Sequence, residues 1–370
     1  MAGVGRALHV FCLDVGQGDC TFVIPPDNKP AYLFDCKDAH VARMFVRSHK
    51  IDKLAAVVFS HLDEDHVAGG EQFIKDFLSD GGSIEKVYVD ADRAVSKGSA
   101  GSQTAMALLD FVRKEAKSGA FQLMHPGADP ADVDRSTEKR DWSVRIIAPS
   151  HGLMLDVARS ETADEPNVHS AVLRAEFRGK AVIVGGDAPL VSWAQMLSSD
   201  IAAGVFRVPH HGGALDDGGT PAGWSAQRLY HEVKPDIGVI SVGTRNRHEH
   251  PRAEWVRPLF DRTRGRTGCS TVCTQLTPRC HPDVAASNDA FERRFWNLKY
   301  AQEAELAWRH LRDGRAPGTN PPQGEVPCAG SIEVVLYEDG HVEQIPEPGS
   351  VHTTHVLPYV EHPWCQHGPP

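Results

Sequence analysis

The chain has 370 residues, 41% of them hydrophobic and 24% charged, which is the balance of a globular protein and excludes a disordered or fibrous one. A formal net charge of -10 and a pI near 6.0 argue against a broad nucleic-acid-binding surface, though not against a local cationic pocket built on metal ions. The sequence holds no apolar run of the roughly 18 residues a membrane span needs, and its start lacks a secretory h-region with a cleavage site, so it reads as cytoplasmic.

In chain order, "ALHVFCLDV" and "CTFVI" read as strands joined by the glycine turn "VGQGD", and "AYLFDC" as a strand ending near Asp35. "DAHVARMFVRSHK" has helical spacing, "LAAVVFSH" is a short apolar strand, and "GGEQFIKDFLSDG" is a helix closed by glycine. "KVYVDA" and the amphipathic "SQTAMALLDFVRKEAKSG" complete the first half. The pattern then restarts with strands at "FQLMHPG", "WSVRIIAPS", "SAVLRAEF" and "KAVIVGGDA", followed by a helix at "LVSWAQMLSS". The strands "AGVFRVPHHGG", "PDIGVISVG" and "STVCTQLTP" follow, with the helix "PRAEWVRPLFDRTR" before the third. Two strand groups flanked by helices predict an α/β fold of two packed sheets with helices outside, a four-layer αββα sandwich.

Residues 283–330 read as a helical and loop insertion before the last strand, "GSIEVVLYEDG". One hydrolase-sized domain is therefore expected over 1–345. The Pro/His-rich tail 346–370 is expected to be poorly ordered or to lie along the surface.

Chemistry gathers at strand ends. "SHLDEDHVAGG" packs His61, Asp63, Asp65 and His66 just beyond an apolar strand, an N/O ligand set suited to Zn, Mn or Fe. The competing explanation is an acidic helix start, with Asp63 or Asp65 acting as the cap. Asp187 in "VGGDA" ends a buried strand, where a carboxylate needs a cation. "VPHHGG" supplies His210 and His211 before two glycines, and "SVGTRNRHEHP" supplies Asn246, His248 and His250.

These motifs in this order, with "LDVGQGDC", "YLFDC" and "NVHSAVLRAEF", resemble the metallo-β-lactamase superfamily, and most of all its ComEC-like competence hydrolase branch. The resemblance spans about residues 7–277 plus 331–340. The wider superfamily usually carries His-x-His-x-Asp-His, whereas the ComEC-like branch carries His-x-Asp-x-Asp-His, as here. The resemblance implies that His61 and Asp63 serve a first metal, that Asp65 and His66 serve a second, and that Asp187 bridges them. It further implies that His210, with His211 as the near alternative, completes the second site. The superfamily's separate third-motif histidine is missing. Asn167, His169 and Ser170 stand there, with His169 either restoring a ligand or being an ordinary strand-edge residue.

The implied cofactors are two divalent ions, Zn or Mn, that activate water. Asp65 or Asp187 would orient that nucleophile, and His250 and Asn246 would steady a phosphate oxygen or protonate the leaving group. Asp35 is expected to hold His66, while Gln17 and Asp19 shape the crevice. A second constellation, Cys269, Cys273, Cys280 (with His281) and Cys328, reads as a structural zinc site, a thiol cluster or unlinked thiols.

The function expected is that of a stand-alone, soluble metal-dependent hydrolase, a phosphodiesterase or nuclease acting on a nucleotide or short nucleic acid. The alternatives are a carboxyl-ester, lactone or phosphocholine-type ester hydrolase, since one dimetal centre serves all these reactions, or a metal-poor ligand-binding or regulatory module. In the last case the aromatics of helix 284–313 would form a protein-partner surface. The sequence leaves the oligomeric state open.

Overall fold

The computed structural model describes residues 6–27, 29–90, 100–126, 141–149, 166–244, 246–277, 279–280, 328–345 and 363–369. Its first sheet holds eight strands in the order β14-β13-β1-β2-β3-β4-β5-β6, and its second holds six in the order β12-β11-β10-β9-β8-β7. The first comprises β1 (Ala7–Cys12), β2 (Cys20–Ile24), β3 (Ala31–Cys36), β4 (Lys53–Val58), β5 (Ser83–Tyr88), β6 (Gln122–Met124), β13 (Ile332–Tyr337) and β14 (Val342–Ile345). The second comprises β7 (Trp142–Ala148), β8 (Val172–Phe177), β9 (Lys180–Val184), β10 (Val205–Arg207), β11 (Ile237–Ile240) and β12 (Ser270–Cys273).

Alternation along the strands divides the core. In β1, Leu8 and Val10 face the second sheet and join Leu173, Val182 and Val239 between the layers. Phe11 of the same strand faces outward with Phe45, Phe73 and Leu108. Those outer side chains belong to α1 (Ala39–Ser48), α3 (Gly70–Ser79) and α4 (Ala100–Ser118), so the helices cover one face of the first sheet. On the far side, α7 (Ala226–Val233) and α8 (Ala253–Thr263) bury Leu229, Tyr230, Leu259 and Phe260 against the second sheet. The expected αββα sandwich is the fold observed.

Strands β3 to β6 run parallel in one sheet, as do β9 to β12 in the other. Parallel strands end on the same side, and loops at their carboxyl ends form a crevice. Asp35, His61, Asp187 and His210 all lie at or just beyond such ends.

Several elements differ from the sequence reading. "LVSWAQMLSS" forms two one-turn helices, α5 (Leu190–Trp193) and α6 (Ser198–Ile201), rather than one. Helix α7 and strand β14 have no counterpart in that reading. The expected insertion at 283–330 falls almost wholly outside the described residues, as do His281 and tail positions 346–362. Of the two expectations for the tail, a loose end or a segment along the surface, residues 363–369 meet the second: α9 (Trp364–His367) packs on the sandwich, with its buried Trp364 6.3 Å, edge-on, from Phe260. No helix among the described residues is long and apolar enough to cross a membrane.

Candidate metal centre

Asp187 follows β9 and is 3% exposed, and four imidazoles surround it. His66 Nε2 lies 3.2 Å and His211 Nε2 3.9 Å from its Oδ1. His61 Nε2 lies 3.8 Å and His210 Nε2 3.9 Å from its Oδ2. One carboxylate thus divides the cluster into two halves. Each half has an acid from α2 (Glu64–Val67) or its cap. Asp63 Oδ2 is 3.6 Å from His61 Nε2, and Asp65 Oδ2 is 3.3 Å from His211 Nε2. Asp63 does occupy the N-cap position of α2, but its side chain makes no capping bond, so the helix-cap explanation does not account for it.

The other nitrogen of each ring is held by the protein. His210 Nδ1 donates to Ala214 O at 2.6 Å, and His211 Nδ1 donates to Ser241 O at 2.9 Å. Carbonyls only accept, so each proton sits on Nδ1 and leaves Nε2 a lone pair. His66 Nδ1 lies 2.8 Å from Asp35 Oδ2. Ser60 donates its hydroxyl proton to the same carboxylate at 2.7 Å, leaving its oxygen to accept from His61 Nδ1 at 3.0 Å. The buried Nε2 atoms of His61, His66 and His211 have no hydrogen-bond partner among the described residues, nor has Asp187 Oδ1. Such orphaned atoms are costly unless an ion completes them.

The backbone is bent to achieve this. His210 and His211 are both left-handed, at φ 53°, in the turn between β10 and Gly213. Left-handed non-glycine residues cost on the order of 1–3 kcal/mol each, and here the two successive residues turn both rings toward Asp187. Two glycines permit close approach. A Cβ on Gly18 would stand 2.3 Å from Asp65 O, and one on Gly213 2.5 Å from His250 Nε2.

Charge follows from the packing. Burial opposes ionisation of Asp187, yet His66, His211 and His210 hold it well below the usual carboxylate range. Burial likewise opposes the charge on Asp65, and the neighbouring His211 and His66 outweigh it. Burial lowers His66, but Asp187 and Asp35 together raise it well above an ordinary histidine. For His211, burial prevails and the pKa falls. Burial and the neighbouring histidines push His250 down to about 3.

Three sequence expectations meet a different geometry, and the open choice for His169 falls on the side of a residue outside the cluster. His211, rather than the favoured His210, faces Asp65 and His66, while His210 stands beside Asp187 Oδ2 on the His61 side. Asp19, expected only to shape the crevice, places a carboxylate oxygen in the cluster. Ligand atoms of Asp19, His66, Asp187 and His211 lie within 4.8 Å of one another, and the other Asp19 oxygen meets the buried guanidinium of Arg207. Asn246 does not reach for a substrate. Its Nδ2 donates to the carbonyls of Gly243 and His250, and its Oδ1 accepts the His250 N–H at 2.6 Å, so the amide is consumed in holding its own loop. His169 turns to Asp90, with Nδ1 at 3.5 Å from its carboxylate, which His125 also contacts.

Other expected residues fall close to the centre. Asp35 holds His66 and accepts the Ser60 N–H at 2.7 Å. Gln17 accepts the Gly243 N–H at 3.1 Å, linking the "GQGD" turn to the β11 loop. His250 is 4% exposed, with its ring 5.1 Å from that of His210. Ser170, quoted from "NVHS" but given no role there, accepts the Asp187 N–H at 2.9 Å.

A sandwich of two mixed sheets, helices on both outer faces, and His/Asp loops at the carboxyl ends of the parallel strands decide the fold. It is a four-layer αββα sandwich, the fold that the resemblance to the metallo-β-lactamase superfamily implies. The sequence is similar to ComE operon protein 3 of Bacillus subtilis (strain 168), at 23% identity over 276 residues, covering 68% of this chain. The match spans only 30% of that relative's length. No protein-family model matches the chain.

Solved structures similar to this chain include YhfI, a metallo-β-lactamase fold protein from Bacillus subtilis, at 14% identity and a TM-score of 0.38, covering 67% of this chain and 92% of that one. Human tRNase Z, short form, has 13% identity and a TM-score of 0.35, with 62% and 91% covered. A diphosphatase from the PhnP family has 13% identity and a TM-score of 0.33, with 62% and 85% covered.

Proposed function

We propose that the chain is a metal-dependent hydrolase of phosphodiesters that acts on nucleotides or short nucleic acid, with residues 1–345 as its hydrolase domain. The observation carrying this reading is Asp187, whose two oxygens each face two imidazole Nε2 atoms. The donor set fits divalent cations. Three buried Nε2 atoms and Asp187 Oδ1 lack partners among the described residues, and the mixed nitrogen and carboxylate ligands suit Zn or Mn. His61, Asp63, Asp187 and His210 would hold one ion, and Asp65, His66, Asp187 and His211 a second, with Asp19 beside it. His210 then stands in for the absent third-motif histidine. Bound ions would supply a water of lowered pKa and neutralise charge developing on the phosphoryl oxygens.

The chain's own side chains do the rest. Asp35, Ser60 and the carbonyls of Ala214 and Ser241 fix the tautomers, so the four Nε2 atoms stay available for ligation. Asp65, with a side chain 28% exposed at the rim, is placed to orient the attacking water and accept its proton. His250, neutral at physiological pH, is placed to hydrogen-bond a phosphate oxygen, while Asn246 keeps its loop in position. The net charge of -10 favours a small phosphodiester over long duplex.

The test is turnover of bis-para-nitrophenyl phosphate with metal content measured in parallel. Metal-dependent turnover in the native chain that Asp65→Ala abolishes supports the proposal. Bound metal without Asp65-dependent turnover overturns it, and turnover of carboxyl esters alone moves the activity to that substrate class.

A further inference from the structure

Far from Asp187 in chemistry, though joined to it by a shared loop, lies a small pocket lined by Cys273, Cys280, Cys328 and Cys365 together with Trp364 and Pro251. The four cysteines come from four places: the end of β12, the loop after it, the approach to β13, and α9. Cys328 is buried and the others half-buried, and none of the described cysteines is in a disulfide. Cys269, expected in this group, stands apart, with its sulfur 3.7 Å from Asp236. Cys365, in the tail, takes the fourth position. The described residues lining the pocket carry no carboxylate and no imidazole.

We propose that Cys273, Cys280, Cys328 and Cys365 form a structural zinc site that pins α9 and both ends of segment 281–327 to the edge of the sandwich. Four thiols with no hard ligand among them match the all-cysteine, four-thiolate set of structural zinc. Disulfides would need two correctly spaced pairs, whereas one ion engages all four sulfurs. Burial pushes Cys365 up to about 12 and raises Cys273 and Cys280 as well, so these are not poised as reactive thiols. In the structure the sulfurs are spaced more widely than one ion's shell. Among the described residues, three or more ligand atoms within 4.8 Å of one another occur only at Asp19, His66, Asp187 and His211. Binding therefore draws Cys280, in the loop after β12, and Cys365, in the one-turn helix α9, inward toward Cys273 and Cys328.

The site has a mechanical reason. A clip between Cys280 and Cys328 joins positions 48 apart in the sequence, and bridging distant positions is where a metal clip gains most. Its floor continues into the candidate centre. Thr274 Oγ1 accepts the Val242 N–H and donates to the Val242 carbonyl, Gln275 Oε1 accepts the Thr244 N–H, and Pro251 adjoins His250.

The experiment uses the full chain carrying Asp187→Asn, so its outcome does not depend on the hydrolase reading. After dialysis against a mild chelator, about one equivalent of zinc is expected to remain. Replacement by cobalt(II) is expected to give the near-ultraviolet thiolate-to-metal band of a tetrahedral sulfur site. The added double substitution Cys280→Ser/Cys365→Ser, outside the strands of both sheets, should lose the ion and the band while keeping the circular dichroism of the sandwich. Cys269→Ser should keep both. No retained zinc, no thiolate band, a disulfide among these four in the unreduced chain, or equal loss in Cys269→Ser would each overturn the proposal.

Discussion

The His/Asp centre and the thiol pocket are neighbours built by opposite means. The centre is held by backbone conformations that side chains do not favour, namely Asp35, His210 and His211 at positive φ, and by glycines tolerating contacts no Cβ could make. The pocket is held by ordinary packing, chiefly Trp364 against Phe260, and its cysteines sit on conventional backbone with negative φ. Strain of this kind persists only where surrounding structure enforces it, and it concentrates at sites that act. The contrast therefore assigns chemistry to the first region and support to the second.

The sharpest way to break this assignment is to remove the shared carboxylate. Asp187→Ala is expected to reduce phosphodiester turnover to background and to abolish metal uptake by both halves, while zinc at the thiol pocket persists. Metal analysis and turnover on the same preparation check this. Next in size, Asp35→Asn removes the charged partner of His66 and is expected to cost about 10–100-fold in metal affinity or activity, read as turnover against metal concentration. The same change should leave the thiol-bound ion untouched.

Smaller effects test how the strained loop is supported. Gly213→Ala pushes a Cβ to 2.5 Å from His250 Nε2 and 2.8 Å from His210 O. It is expected to destabilise by roughly 1–3 kcal/mol, seen as a lowered urea midpoint, with kcat falling as His250 moves. Asn246→Ala frees three bonded backbone groups in the same loop and is expected to cost about 1–3 kcal/mol. An Asn246→Ala protein as stable as native but catalytically dead would restore Asn246 as a substrate contact and blur the distinction between the loop's support and its chemistry.

The smallest effect concerns Asp90, outside both regions. Burial opposes its charge, but the hydrogen bond from His125 and the nearby His169 outweigh that and lower its pKa. A folded value below the unfolded one of about 3.9 means the stabilisation is present above that pH and is lost as pH falls through the folded value. Asp90→Asn is thus expected to be less stable than native at neutral pH, with the difference shrinking below about pH 4. Urea titrations at several pH values measure it.

Much of this is legible because strand ends and ligand residues coincide in the sequence. "SHLDEDH", "GGDA" and "PHHGG" each close an apolar run, and the fold brings all three to one crevice. The choice between His210 and His211 is not legible, because it depends on two successive left-handed residues that no local pattern of histidines announces. Asn246 misleads for a similar reason: a polar residue near a site reads the same whether it faces substrate or its own backbone.

The missed helix α7 is a different case. Its buried Ala226, Leu229, Tyr230 and Val233 lie at helical spacing behind a Ser225 cap, so its signal is present in the sequence. Strand β14 leaves little trace, since an edge strand with only Gln344 buried lacks an apolar face. Cys365 can be placed only by knowing that Trp364 docks.

The order of strands in the first sheet also sets a schedule for synthesis. β1 lies in the interior of that sheet, with Val10 paired to Val23 on one side and to Val334 on the other. Until residues 332–337 leave the ribosome, β1 presents an open hydrogen-bonding edge to whatever else is nascent or crowded nearby. β1 thus carries an aggregation hazard that only the pairing with β13 relieves.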